Sequence, residues 1–379
     1  MHCRHILSAF KTTLAICSSY FLMLPSSAKA SELKWTHYGV RPLAMGNAYV
    51  AVADDFNALF YNPAGLARLE SWHGELINPQ IGASATTIAT IKDFSKLASS
   101  KSSGVESTLS AFESMSGKPQ WINIGATPHL IFPGFGIGLG LDVGGSMVIH
   151  RTISADIDAG ATAILPVAFA KNFLEDRLSL GVAVKGVFKE GVEREFSLAD
   201  ITAFSKSSSD SGGNSLKEYV VGGKGVGVDL GMLFTPVTTG EPTLGISIAD
   251  LGGTPYKATK SGNLDLGAPK PREPAVNTGI SYKPIKTGSY YVLTTMDAHA
   301  INQPIHYSKK LNFGTEWGFG KVLKIQAGLH QGSLSGGFQL DAWLLVLRFA
   351  TYTEQLGHVA GESKTMADRR YVAQLKLLL

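Results

Sequence analysis

From Trp72 to the C-terminus, apolar and polar positions alternate with a period of two. The clearest run is Phe135–His150. Its odd positions are Phe135, Ile137, Leu139, Leu141, Val143, Gly145, Met147 and Ile149, and its even positions include Gly136, Gly138, Gly140, Asp142 and Gly144. Successive strand side chains point to opposite faces, so this run has one apolar face and one face of glycine and carboxylate, as expected of a strand between lipid and lumen. Ile153–Phe169 repeats the pattern with Asp156 and Asp158 inward. Leu178–Phe188 places Lys185 inward, Val220–Phe234 places Asp229 inward, and Leu311–Phe319 places Glu316 inward. Lys224 falls on the outward phase, which puts it near an interface. A cation facing mid-bilayer lipid costs about 2–4 kcal/mol and an acid less, so the inward phase avoids a real penalty.

The alternation predicts an all-β chain of about fourteen antiparallel strands near residues 72–91, 120–132, 135–150, 152–170, 177–189, 218–235, 242–250, 274–283, 289–299, 310–319, 321–331, 333–341, 344–354 and 368–379. Their connections alternate in length. Pro133-Gly134, Lys171–Asp176, Pro236–Glu241, Pro284–Gly288, Gly320 and Ala342-Trp343 are short, whereas Lys92–Pro119, Glu190–Lys217, Leu251–Glu273, Ala300–Lys309 and Gln355–Ala367 are longer. Short turns on one side and long loops on the other predict a closed transmembrane barrel, which leaves no strand edge in lipid. The Ser-rich stretches Ser95–Ser116 and Ser205–Ser215 read as solvated outer loops.

The first 30 residues predict a cleaved export signal. Arg4 and Lys11 form the basic start, Leu14–Leu24 the apolar run, and Ala28-Lys29-Ala30 the cleavage site. The remaining organisation reads as a segment at 31–71 followed by a barrel at 72–379. Of 34 basic residues the signal holds three and of 30 acidic residues none, so the exported chain carries 31 minus 30, or +1, which gives no basis for nucleic-acid binding. Both cysteines, Cys3 and Cys17, lie in the signal, which excludes thiol catalysis and Cys-ligated metals afterwards.

Little else points to chemistry. The runs Gly134-x-Gly136-x-Gly138-x-Gly140 and Gly223-x-Gly225-x-Gly227 alternate within strands and open no helix, so they read as lumen-side glycines that make room for the N-terminal segment and not as phosphate cradles. Gly332-Ser333-Leu334-Ser335-Gly336 has Leu where a nucleophile elbow needs Ser. His299, His306, His330 and His358 lack metal-ligand spacing. Neither an enzyme nor a cofactor or metal is expected. The acidic pair Asp54-Asp55 leaves two readings open, a cation site or a cap and polar contact with the wall.

The stretch Gly39–Leu69 contains the small-residue turn Met45-Gly46-Asn47-Ala48, the pair Asp54-Asp55 and the tetrapeptide Asn62-Pro63-Ala64-Gly65. In that order these resemble the N-terminal hatch of the outer-membrane long-chain fatty-acid transporter family and of its secretion-shuttle relatives. The resemblance implies a bacterial outer-membrane barrel plugged by this stretch, with Met45, Gly46, Asp54, Asp55, Asn62, Pro63, Ala64 and Gly65 at the hatch. It also implies a defect in the wall beside the hatch that opens sideways to lipid. The glycine-weakened strand with Gly136, Gly138, Gly140 and Asp142 is the candidate for that wall. The final residues Tyr371–Leu379 resemble the strand signal read by the barrel-insertion machinery, although Leu379 replaces the usual terminal aromatic. Asp368-Arg369-Arg370-Tyr371 resembles the secretion-type relatives.

Two functions follow from the resemblance. One is uptake of hydrophobic small molecules such as long-chain fatty acids through outer-membrane lipid. The other is a non-transport barrel acting as a shuttle or anchor for exported proteins. A continuous apolar pocket beside the hatch favours the first, and a polar, filled lumen the second.

Overall fold

The computed structural model describes residues 39–91, 115–150, 154–197, 200, 216–259, 266–342, 344–356 and 367–377. The expected export signal and most of both Ser-rich stretches lie outside them. Eighteen strand segments make fourteen antiparallel strands, because four strands are each interrupted once. They are β1 (His73–Glu75 and Pro79–Ser84), β2 (Gln120–Ala126 and His129–Phe132), β3 (Phe135–Gly138 and Gly140–Ile149), β4 (Ala155–Phe173), β5 (Leu178–Phe196), β6 (Val221–Phe234) and β7 (Thr243–Ala249 and Lys257–Thr259). The ring continues with β8 (Ala275–Lys286), β9 (Tyr290–Ala298), β10 (Leu311–Phe319), β11 (Leu323–His330), β12 (Ser333–Ala342), β13 (Leu345–Gln355) and β14 (Ala367–Leu377). Each strand pairs with the next, and β14 returns to β1 through Arg370↔Ser84 to Gln374↔Gln80, which closes the barrel.

Alternation does what the sequence pattern predicts. Ile81, Ile124, Val143, Val184, Val226 and Leu334 are exposed on the outer face, while Lys185, Asp229 and Glu316 are buried on the inner one. Among the described residues no helix is long and apolar enough to cross a membrane. Aromatic pairs such as Phe132–Phe135 and Tyr290–Phe319 stand beside the short turns, where amphipathic girdles form.

Four expectations about strands need correction, the first being that the strand expected over 120–132 is broken at 127–128. The segment expected as one strand over 72–91 is broken at 76–78 and ends at Ser84, after which residues 85–91 are helical. Ser84 starts that helix by accepting the Thr87 N–H at 3.1 Å, an N-cap bond that a strand would not use. The strand expected over Phe135–His150 is interrupted at Leu139. Finally, β4 and β5 run to 19 residues each, past the expected ends at 170 and 189. At about 3.3 Å per residue they outreach an apolar band of about 25 Å. The outer tips are covered instead of facing lipid: Ala155 of β4 and Val192 and Phe196 of β5 are buried together with Ile149 and Met115, and Tyr219 packs against them.

Candidate functional site

Residues 39–69 form two short helices, α1 (Val40–Ala44) and α2 (Ala58–Tyr61), and a 3-10 turn over Pro63–Arg68, nearly all of it buried. None of these could persist alone, because a one-turn helix does not repay its nucleation. The segment is shaped by what it touches. Gly46 (φ +65°) and Asn47 (φ 64°) turn the chain through the left-handed region, which Gly and Asn adopt most easily. Tyr61 Oη holds the turn by donating to Asn47 Oδ1 at 2.5 Å. A Cβ on Gly46 would also strike the carbonyls of Phe313 and Leu329, so glycine is needed there twice over.

The barrel wall is hollowed to match. Cβ atoms on Gly314 and Gly328 would collide with Met45, on Gly245 with Ala51, and on Gly181 and Gly231 with Asn62, Pro63 or Ala64. Asn62 Nδ2 donates to Val50 O (2.9 Å) within the segment and lies 3.1 Å from Met232 O and 3.3 Å from Ile246 O on paired strands β6 and β7. Its Oδ1 accepts from Ala64 N (3.2 Å), capping the turn that Pro63 opens. Gly65 lies against Ala53.

Arg41 is the electrostatic anchor. Its Nε and Nη2 donate to Glu316 Oε2 (2.7 Å) and Oε1 (2.8 Å), and its Nη1 donates to Asp54 Oδ1 (2.6 Å), Asp55 Oδ2 (3.0 Å) and Tyr49 Oη (2.6 Å). Glu316 also accepts from Tyr291 Oη (2.6 Å) and Gln326 Nε2 (2.9 Å), so the buried pair is fully hydrogen-bonded. Burial works against ionisation of Asp54, but the Arg41 guanidinium outweighs it and holds the carboxyl well below the usual range. Asp54 and Asp55 thus reach the wall through Arg41. Among the described residues no cluster of three metal-ligating side chains occurs.

A second carboxylate clamps the backbone. Asp297 Oδ2 accepts the N–H groups of Tyr49 (2.6 Å) and Val50 (2.7 Å). From it a buried polar chain runs along β9–β13. His299 Nε2 lies 3.3 Å from Asp297, Asn312 joins His299 (3.2 Å) to His330 (3.0 Å), and His330 Nε2 lies 3.1 Å from Glu354.

The opposite side of the ring is apolar and broken. Leu59 and Leu66 lie against Gly136, and Leu59 also against Gly138, within a buried cluster that includes Phe60, Ile131, Ile164, Ala168 and Val187. Here regular strand pairing lapses along one line across four strands, although Leu139 N still donates to Pro128 O (2.8 Å) between β2 and β3. Three residues of β1 (76–78) face two of β2 (127–128), a one-residue register slip. Asn78 fills the gap: its Nδ2 donates to Thr127 O (2.6 Å) and its Oδ1 accepts from Thr127 N (2.7 Å). On the far side, β3 and β4 pair up to Ile137↔Val167 and resume at Gly140↔Ile164, skipping Gly138 and Leu139 opposite Leu165 and Pro166. Pro128 and Pro166 bring no N–H to this seam. Glu75, His129 and Arg348 line its lumen edge, with Phe56 stacked on His129 at 4.3 Å.

Of the wall residues singled out from the sequence, Gly136 and Gly138 meet the N-terminal segment, Gly140 resumes the ladder with Ile164, and Asp142 lies 3.5 Å from Asn123. Arg41, Asp297, Asn78, Pro128 and Pro166 were not singled out. The prolines inside otherwise regular strand patterns were the available signal for the seam. Arg41, close in sequence to two unpaired acids, was the signal for the anchor.

No family model matches the sequence, and no curated protein does. Solved structures do match in fold. The toluene transporter TodX of Pseudomonas putida shares 12% identity over 92% of this chain and 99% of its own, at a TM-score of 0.53. The toluene transporter TbuX of Ralstonia pickettii shares 12% identity over 91% of this chain and 100% of its own, at 0.54. The chain therefore has the fold of these barrels, the fold that the resemblance of Gly39–Leu69 implies.

Proposed function

We propose that this chain is a bacterial outer-membrane channel for uptake of hydrophobic small molecules, with residues 39–69 as its hatch. One observation carries the reading: the break in the wall coincides with the apolar side of the segment, at Leu59, Leu66, Gly136 and Gly138. Where regular strand pairing lapses, the wall opens at least cost, and an apolar ligand leaving past Leu59 and Leu66 would enter lipid directly, beside the polar lumen edge at Glu75, His129 and Arg348. The fold shared with two toluene transporters supports the same substrate class, and long-chain fatty acids fit it equally by apolarity. The final strand β14 would be read by the barrel-insertion machinery. The polar chain from Asp297 to Glu354 is what favours the alternative, a shuttle or anchor for exported proteins, but it occupies only the side away from the seam.

The test is uptake of radiolabelled toluene and of a long-chain fatty acid by cells with and without the gene. Uptake of at least one should fall in the deletion and return with the gene restored. Unchanged uptake of both rejects the transport reading.

A further inference from the structure

The glycines Gly223, Gly225 and Gly227 do not accommodate the N-terminal segment. They lie on the inner phase of β6, the same phase on which Gly231 receives Asn62 and Ala64. Against them lies a different piece of chain, the excursion at 250–256 that interrupts β7 and the return at 266–272. Pro269 and Tyr256 crowd Gly223, Pro255 and Thr254 crowd Gly225, and Thr254 and Asp250 crowd Gly227. One strand thus carries two inward-folded elements, stacked along its axis.

The upper element is fastened by ion pairs. Lys185 Nζ on β5 lies 2.6 Å from Asp229 Oδ1 and 3.1 Å from Asp250 Oδ1, and Arg272 Nε lies 3.1 Å from Asp250 Oδ2. Asp250 N donates to Asp229 Oδ1 (2.7 Å) and Thr254 Oγ1 to Asp250 Oδ1 (2.6 Å), while Thr254 and Arg272 exchange backbone hydrogen bonds at 2.9 and 3.0 Å. Arg272 also lies beside Tyr256, which packs on the apolar cluster formed with the N-terminal segment. Val187, 2% exposed on β5, pairs in register with Gly225 beneath Thr254 and Pro255.

We propose that residues 250–256 and 266–272 form a roof over the apolar cluster, latched by Asp250 to Lys185 and Arg272, with Tyr256 as the residue that closes on that cluster. The proposal rests on the transport reading only for its purpose. Its geometry concerns access from outside, whatever passes.

The test reads access directly. No cysteine lies beyond residue 17, so Val187→Cys provides a single thiol beneath the roof. A membrane-impermeant maleimide is added from outside to barrels in intact cells. Labelling of Val187→Cys should be slow with the latch intact and at least tenfold faster with Asp250→Asn or Arg272→Gln added. Arg272, partly exposed, gives the variant more tolerant of change if Asp250→Asn fails to fold, and heat-modifiable gel migration reports folding in each. Equal labelling rates in latched and unlatched barrels overturn the proposal. Accelerated labelling without toluene or fatty-acid uptake leaves the roof in place and rejects transport instead.

Discussion

Arg41 and Glu316 lie 275 residues apart in the chain yet meet inside the ring as a two-point pair, Nε to Oε2 at 2.7 Å and Nη2 to Oε1 at 2.8 Å. Glu316 is fully buried, whereas Asp54, on the other side of the same guanidinium, keeps 39% of its side-chain surface open. The Glu316 arm is therefore the stronger one, since exposed pairs are screened and buried ones are not.

Removing one partner of this pair strands the other. Arg41→Met should destabilise the folded barrel by about 3–5 kcal/mol, because it leaves the Glu316 carboxylate buried without its cation. The double variant Arg41→Met, Glu316→Gln should recover most of that loss. Urea titration followed by heat-modifiable gel migration measures both, and a double variant as unstable as the single one contradicts the assignment.

Acid acts on the same anchor through Asp54. Its folded pKa is depressed by Arg41, so its contribution is fully present above the ordinary carboxylate range and is lost as pH falls through the lower folded value. The wild-type contribution should stay level from about pH 7 to about pH 5 and fall below about pH 4. Asp54→Asn should flatten the acid limb relative to wild type. Thermal unfolding midpoints across pH check this, and identical acid limbs would count against it.

Two glycines of β5 provide a matched comparison. A Cβ on Gly181 would collide with Pro63 and Ala64, whereas one on Gly186 meets nothing within 4 Å. Gly181→Val should displace the N-terminal segment while leaving the ring closed, making residues 39–69 sensitive to protease. Gly186→Val should be silent. The two variants differ in only one respect that matters here, the contact with the segment, so equal protease patterns would show that the segment is not held at this point.

At the seam, Asn78 supplies both bonds that a strand neighbour would have given Thr127. Asn78→Ala should cost about 1–3 kcal/mol per unpartnered group and speed hydrogen exchange at the Thr127 amide. Cross-linking Asn78→Cys to Thr127→Cys should shut the lateral route, with uptake lost on oxidation and regained with dithiothreitol. Uptake that persists through the cross-link would place the exit elsewhere.

The strand pattern was legible because it is local. Inward or outward placement of Val226, Asp229 or Glu316 follows from a period of two that any strand must obey, and the succession of short turns and long loops orders the strands around the ring. Lumen-side glycine was readable for the same reason, but its occupant was not: Gly231 receives Asn62, while Gly223 to Gly227 receive a loop from β7. The seam, the Asp297 clamp and the Arg41–Glu316 pair depend on which strands become neighbours and in what register. A one-residue slip between β1 and β2, or a charge pair spanning most of the chain, leaves no periodic trace. Only closure of the barrel around the segment brings those groups within hydrogen-bond reach.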